Sequence, residues 1–129
     1  MATIKSFTSL EQSKILAEIL PIESADMNWH ELPTIGLFVR AYPYKHDNGA
    51  TEGIYPCWSL ASLLEQFPYE LCDDDGNSSY LQINKEGDMY QLVYEDPYGY
   101  FESIETDRYE HFVDACYEMV LKLKENSLL

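Results

Sequence analysis

Tyr109, Phe112, Val113, Cys116, Val120 and Leu123 stand at offsets of 3, 4, 7, 11 and 14 from the first of them. That spacing draws one apolar stripe along a helix of about 3.6 residues per turn. Such a stripe must be covered by another element, so the chain has to fold in layers. Asp107 and Glu110 at its start suit a cap and the positive end of the helix dipole, and Lys122 and Lys124 fall where the dipole favours cations. The pattern predicts a helix over residues 107–126.

Two further helices are legible. Thr8-Ser9-Leu10-Glu11 reads as a T-x-x-E capping box, followed by Ile15, Leu16, Ile19 and Leu20 on one face and stopped by Pro21. Leu60, Leu63, Leu64 and Phe67 repeat the amphipathic spacing before Pro68.

Elsewhere the period falls to two. In residues 34–42, Ile35, Leu37, Val39 and Ala41 alternate with Gly36, Phe38, Arg40 and Tyr42, as in a strand. Residues 80–84, 89–94 and 98–104 read as a meander of adjacent antiparallel strands. Its first link, Lys85-Glu86-Gly87-Asp88, offers a glycine for positive φ; its second, Asp96-Pro97-Tyr98-Gly99, has the residues of a type I turn. Residues 21–33 and 43–55 are rich in breakers and read as loops. The expected fold is α+β: an antiparallel sheet of about four strands, with three helices packed mainly on one face.

Length and charge narrow the class. A chain of 129 residues, 46% hydrophobic, has the proportions of one globular domain over residues 1–129. Eleven tyrosines set it apart from a disordered acidic tail, and a net charge of −15 makes direct nucleic-acid binding unfavourable. No apolar run reaches the ~20 residues of a membrane span. The first residues lack a secretory h-region, and Cys57, Cys72 and Cys116 are odd in number without C-x-x-C spacing. The expectation is a cytoplasmic protein with Cys57 and Cys116 as core thiols.

Three stretches carry a resemblance. They are Thr8-Ser9-Leu10-Glu11-Gln12-Ser13-Lys14 continuing to Leu20-Pro21-Ile22-Glu23-Ser24-Ala25-Asp26-Met27, then Pro56-Cys57-Trp58-Ser59-Leu60-Ala61-Ser62-Leu63-Leu64, and Val113-Asp114-Ala115-Cys116-Tyr117-Glu118-Met119-Val120-Leu121-Lys122-Leu123. Together they resemble small, acidic, uncharacterised proteins of phages, prophages and mobile elements of gut Bacteroidales. The resemblance implies a phage-related context and assigns no activity or site.

Motifs for chemistry are few. Asp73-Asp74-Asp75-Gly76-Asn77 invites a calcium loop, but an EF-hand register puts Leu71 at position one and Gln82 at position twelve, neither a carboxylate. It reads as an exposed acidic turn. His30, His46 and His111 lack the spacing of a zinc site, and no G-x-S-x-G or phosphate-binding glycine loop occurs. Cys57 borders an apolar helix face with nothing nearby to lower its pKa. Glu23, Asp26, Trp29 and His30, with Trp58, are the candidates for a small pocket; Glu23-Ser24-Ala25-Asp26 also reads as a capped turn. No cofactor is implied.

The strongest feature is a block of charge. From Glu65 to Glu118 fifteen acids face two bases, Lys85 and Arg108, a local balance of −13. Tyr69, Tyr80, Tyr90, Tyr94, Tyr98, Tyr100, Tyr109 and Tyr117 interleave with them. Tyrosine supplies rigid amphipathic contact area and is enriched at interfaces. Tyr90, Tyr94, Tyr98 and Tyr100, with Asp73, Asp74, Asp75, Glu95 and Asp96, are therefore the candidate interaction surface. The expected function is that of a non-enzymatic phage or mobile-element accessory protein binding a protein partner with a basic surface. The alternatives are an acidic DNA mimic that inhibits a host defence enzyme, and a small-ligand binder or enzyme without a recognisable motif.

Overall fold

A computed structural model describes residues 5–41 and 53–129. In chain order the elements are α1 (Leu10–Leu16), a 3-10 turn (Ile22–Ser24), β1 (Met27–Leu32), β2 (Gly36–Arg40), β3 (Ile54–Cys57), α2 (Leu60–Leu64), β4 (Glu70–Cys72), β5 (Ser78–Glu86), β6 (Met89–Glu95), β7 (Ile104–Glu105) and α3 (Phe112–Glu125). The class is α+β with antiparallel pairing and three α-helices, as the patterns predict. The strands form two sheets, one of order β2-β1-β3 and one of order β4-β5-β6-β7. No described helix is long and apolar enough to cross a membrane.

The core lies where α3 covers the four-stranded sheet. Val113, Cys116, Met119, Val120 and Leu123 of α3 are wholly buried and join Leu92 and Tyr94 of β6, Leu71 of β4 and Leu63 of α2 in one cluster. Leu16 of α1 and Trp58 belong to it as well, so the N-terminal helix shares the same core. From Val113 onward the predicted stripe is thus the buried face of α3. Cys57 and Cys116 are buried, as expected of core thiols.

Several boundaries moved for identifiable reasons. The cap of α1 is Ser9, whose side chain accepts from Gln12 N while the Gln12 side chain accepts from Ser9 N, so the box sits one residue beyond the expected Thr8–Glu11 pair. Thr8 is instead buried, its hydroxyl 2.7 Å from that of Ser13. The helix loosens before Pro21, because Glu18 N and Ile19 N bond back three residues to Ile15 O and Leu16 O. The start of α3 is later than expected: Tyr109 pairs with Tyr90 as a β-bridge, and the helix is capped by His111 without a side-chain bond.

The stretch 21–33, expected to be loop, contains β1, the central strand of the smaller sheet. Its polar residues Asn28 and His30 are buried and bonded to each other, Nε2 to Oδ1 at 3.0 Å, so the buried face reads as polar in sequence. β3 falls at the end of the second expected loop, and Gly53 just before it is a geometric requirement. Its φ is +80°, and a Cβ there would lie 2.5 Å from Glu31 O. The third strand of the meander is reduced to β7, since residues 98–101 are drawn into a turn described below. The hairpin β5–β6 keeps its expected Gly87, at φ 61°.

Candidate functional site

The turn between β4 and β5 and the linker between β6 and β7 lie at the same end of the four-stranded sheet. Each is organised by one aspartate. The Asp73 carboxylate accepts from Asp75 N at 2.9 Å, Asn77 N at 2.8 Å and Asn77 Nδ2 at 3.0 Å. The Asp96 carboxylate accepts from Tyr98 N, Tyr100 N and Phe101 N at 2.8, 2.9 and 2.9 Å. Gly99 N to Asp96 O at 3.0 Å closes the expected Asp-Pro-Tyr-Gly turn. The Asn77 bonds hold Asp73 below the usual carboxylate range, and the backbone donors of Tyr98, Phe101 and Tyr100 do the same for Asp96.

These turns bring Tyr98 and Tyr100 to the surface, 83% and 75% exposed. With Tyr80 and residues 76–78 they line a groove of about 240 Å³. Tyr69, also 75% exposed, packs its ring 5.6 Å from that of Tyr80. Asp74 and Asp75, in the 73–77 turn, and Glu95, next to Asp96, are exposed. The two bases of this half lie at the far end of the strands, where Arg108 pairs with Glu86 at 3.1 Å and the Lys85 ammonium sits over the Tyr90 ring.

Three residues of the expected surface are placed differently. Tyr94 is wholly buried, since it follows Leu92 on the core face of β6. Its hydroxyl donates to Pro68 O at 2.5 Å, and burial pushes its pKa above the ordinary tyrosine value. Asp96 is only 7% exposed, spent on its turn. Tyr90 is half-buried with its ring 5.0 Å from that of Phe112, at the opposite end of β6 from Tyr98 and Tyr100. In their place the structure supplies Tyr69 and Tyr80, which strand register alone brings to Tyr98 and Tyr100.

Most of the expected pocket residues are engaged in structural bonds, and Asp26, Trp29 and Trp58 are linked through Ser59, Ser24 and Thr8. Asp26 accepts from Ser59 N at 2.9 Å and from the Ser59 hydroxyl, which fastens the start of α2. Although burial opposes it, those bonds hold Asp26 below the usual carboxylate range. Trp29 and His30 are consecutive in β1 and so point to opposite faces. The Trp29 indole donates to Thr8 O at 2.9 Å, and His30 stacks on Phe38 at 4.9 Å. Trp58 is buried and donates to Ser24 Oγ at 2.8 Å. Glu23 is exposed on the 3-10 turn.

Among the described residues no group of three or more His, Cys, Asp and Glu could hold a metal ion. His46 lies outside the described residues. Burial pushes the Cys57 thiol up, against bonds from Thr8 and Ser13, so it stays protonated at neutral pH.

A second concavity, which no sequence pattern announces, lies beside the first. It measures about 480 Å³ and runs between residues 101–105 and the last turn of α3, with Asp73 on its wall. No family model, curated protein or solved structure matches this chain.

Proposed function

We propose that the protein is a non-enzymatic accessory protein of a phage or mobile element, acting by binding a protein partner that presents a basic surface. The observation that carries this reading is the grouping of Tyr98 and Tyr100 with Tyr80 around one groove and of Tyr69 on Tyr80, with Tyr69, Tyr98 and Tyr100 each at least 75% exposed and Asp74 and Asp75 exposed in the 73–77 turn. Water-exposed aromatic rings at this density are costly to a protein that binds nothing, and they are the side chains that dominate contact energies. The surrounding carboxylates select a cationic partner and speed its approach. The resemblance of the two ends and the middle of the chain to phage and mobile-element proteins supplies the context. A cytoplasmic setting belongs to the proposal, supported by three cysteines that are all unpaired.

Affinity capture from a Bacteroidales lysate tests it, with immobilised wild type compared with a Tyr98→Ser/Tyr100→Ser variant. The expected result is a basic protein retained by the wild type, released by salt and lost by the variant. If no retained protein distinguishes the two, the reading is wrong. Displacement of the partner by duplex DNA would shift the assignment to a DNA mimic.

A further inference from the structure

We infer that the cleft between residues 101–105 and the C-terminal turn of α3 seats a segment of the partner in which an arginine or lysine stands next to an apolar side chain; the inference rests on the protein-binding reading above. The floor is apolar: Phe101, Ile104 and Leu128 pack on the core and remain partly exposed where they line the cleft. The rim is anionic. Glu102, Glu105 and Glu125 are exposed and form no ion pair among the described residues. Asp73 adds a carboxylate fixed in place by its own turn. Among the described lining residues the one cation is Lys122, 3.9 Å from Glu118.

Charge complementarity therefore calls for a cation, and the chemistry of the walls says which kind. The carboxylates do not converge as metal ligands. They are spread around an apolar floor, which suits a long side chain with an alkyl stem and a charged head, beside a neighbouring apolar residue. The last turn of α3 contributes the negative end of the helix dipole to the same cleft. A volume of about 480 Å³ accommodates a pair of side chains rather than a folded surface. The tyrosine groove lies across the 73–77 turn, where Asn77 of its lining bonds to Asp73 of this one, so one extended segment can reach both.

The test uses fluorescein-labelled peptides containing Arg-Leu-Arg, Arg-Gly-Arg or Glu-Leu-Glu, with binding read by fluorescence polarisation. Wild type is expected to bind Arg-Leu-Arg best, less tightly as salt rises, and Glu-Leu-Glu not at all. Ser103→Lys places a cation in the cleft at an exposed position whose side chain makes no hydrogen bond among the described residues, and should abolish binding. Glu102→Gln/Glu105→Gln should weaken it roughly tenfold. Unchanged melting temperatures confirm that both variants fold. Equal binding of Arg-Leu-Arg by wild type and Ser103→Lys overturns the inference, as does equal affinity for Arg-Gly-Arg or no binding up to about 1 mM. In any of these cases, capture of a basic partner that depends on Tyr98 and Tyr100 leaves the broader reading standing.

Discussion

The Lys5 ammonium lies 2.6 Å from the Asp114 carboxylate, an ion pair between residues 109 positions apart. Gln12, the reciprocal half of the α1 capping box, also donates to Asp114 at 2.8 Å, so one carboxylate ties the start of α1 to the start of α3. Burial raises the pKa of this group, and the bonds from Lys5 and Gln12 more than reverse the effect. Asp114→Ala should cost about 1–3 kcal/mol in urea unfolding. A double-mutant cycle with Lys5→Ala should give a coupling of up to about 1 kcal/mol. Additive single effects would show that the pair contributes nothing.

Asp96 predicts an acid-sensitive turn. Its folded pKa lies below the ordinary value because three backbone N–H groups favour the charged form. The stability it contributes is fully present above the unfolded value of about 3.9 and is lost as pH falls through the folded one. Melting curves should show Asp96→Ala destabilised at neutral pH, with the gap from wild type closing in strong acid. A gap independent of pH would refute the role of the charge.

At the end of α3, Leu128 N bonds to Leu123 O at 2.8 Å and Ser127 N to Lys124 O at 3.1 Å. This is a Schellman cap with Ser127, at φ 57°, in the left-handed position that glycine prefers. Ser127→Gly should stabilise the protein by about 0.5–1 kcal/mol, the relief of left-handed strain exceeding the entropy lost on ordering glycine. Denaturant midpoints read the sign directly.

The three thiols differ in access: Cys72 is exposed, while Cys57 and Cys116 are buried. Burial pushes Cys116 up to about 12, leaving almost no thiolate at neutral pH. Titration of the native protein with a thiol reagent should therefore count one reactive cysteine, lost in Cys72→Ser, and all three only after unfolding. Rapid reaction of Cys116 in the native state would contradict its burial.

Local chemistry is legible in the chain because its cause and its effect lie within a few residues. The stripe Val113, Cys116, Val120, Leu123 needs only helical periodicity, and it is the buried face of α3. Gly87 and the Asp96–Gly99 turn need only their own backbone angles and bonds. Part of the candidate surface is equally local: Tyr98 and Tyr100 are exposed because Asp96, within five residues, curls the chain beneath them.

What depended on tertiary structure has its cause far along the chain. Tyr109 fits the α3 stripe, yet Tyr90 N to Tyr109 O at 2.7 Å and the return bond at 2.8 Å draw it into the sheet and delay the helix. Asn28 and His30 look like loop residues until pairing with β2 and β3 places them in the middle of a sheet. Alternation puts Tyr90, Leu92 and Tyr94 on one side of β6, but only the docking of α3 decides that this side is the core, which removes Tyr94 from any surface. The acidic cleft exists because the last turn of α3 returns to residues 101–105. Periodicity and turn chemistry are properties of neighbouring residues; the partner of a strand and the face a helix covers are settled by burial between distant ones, and no short stretch encodes them.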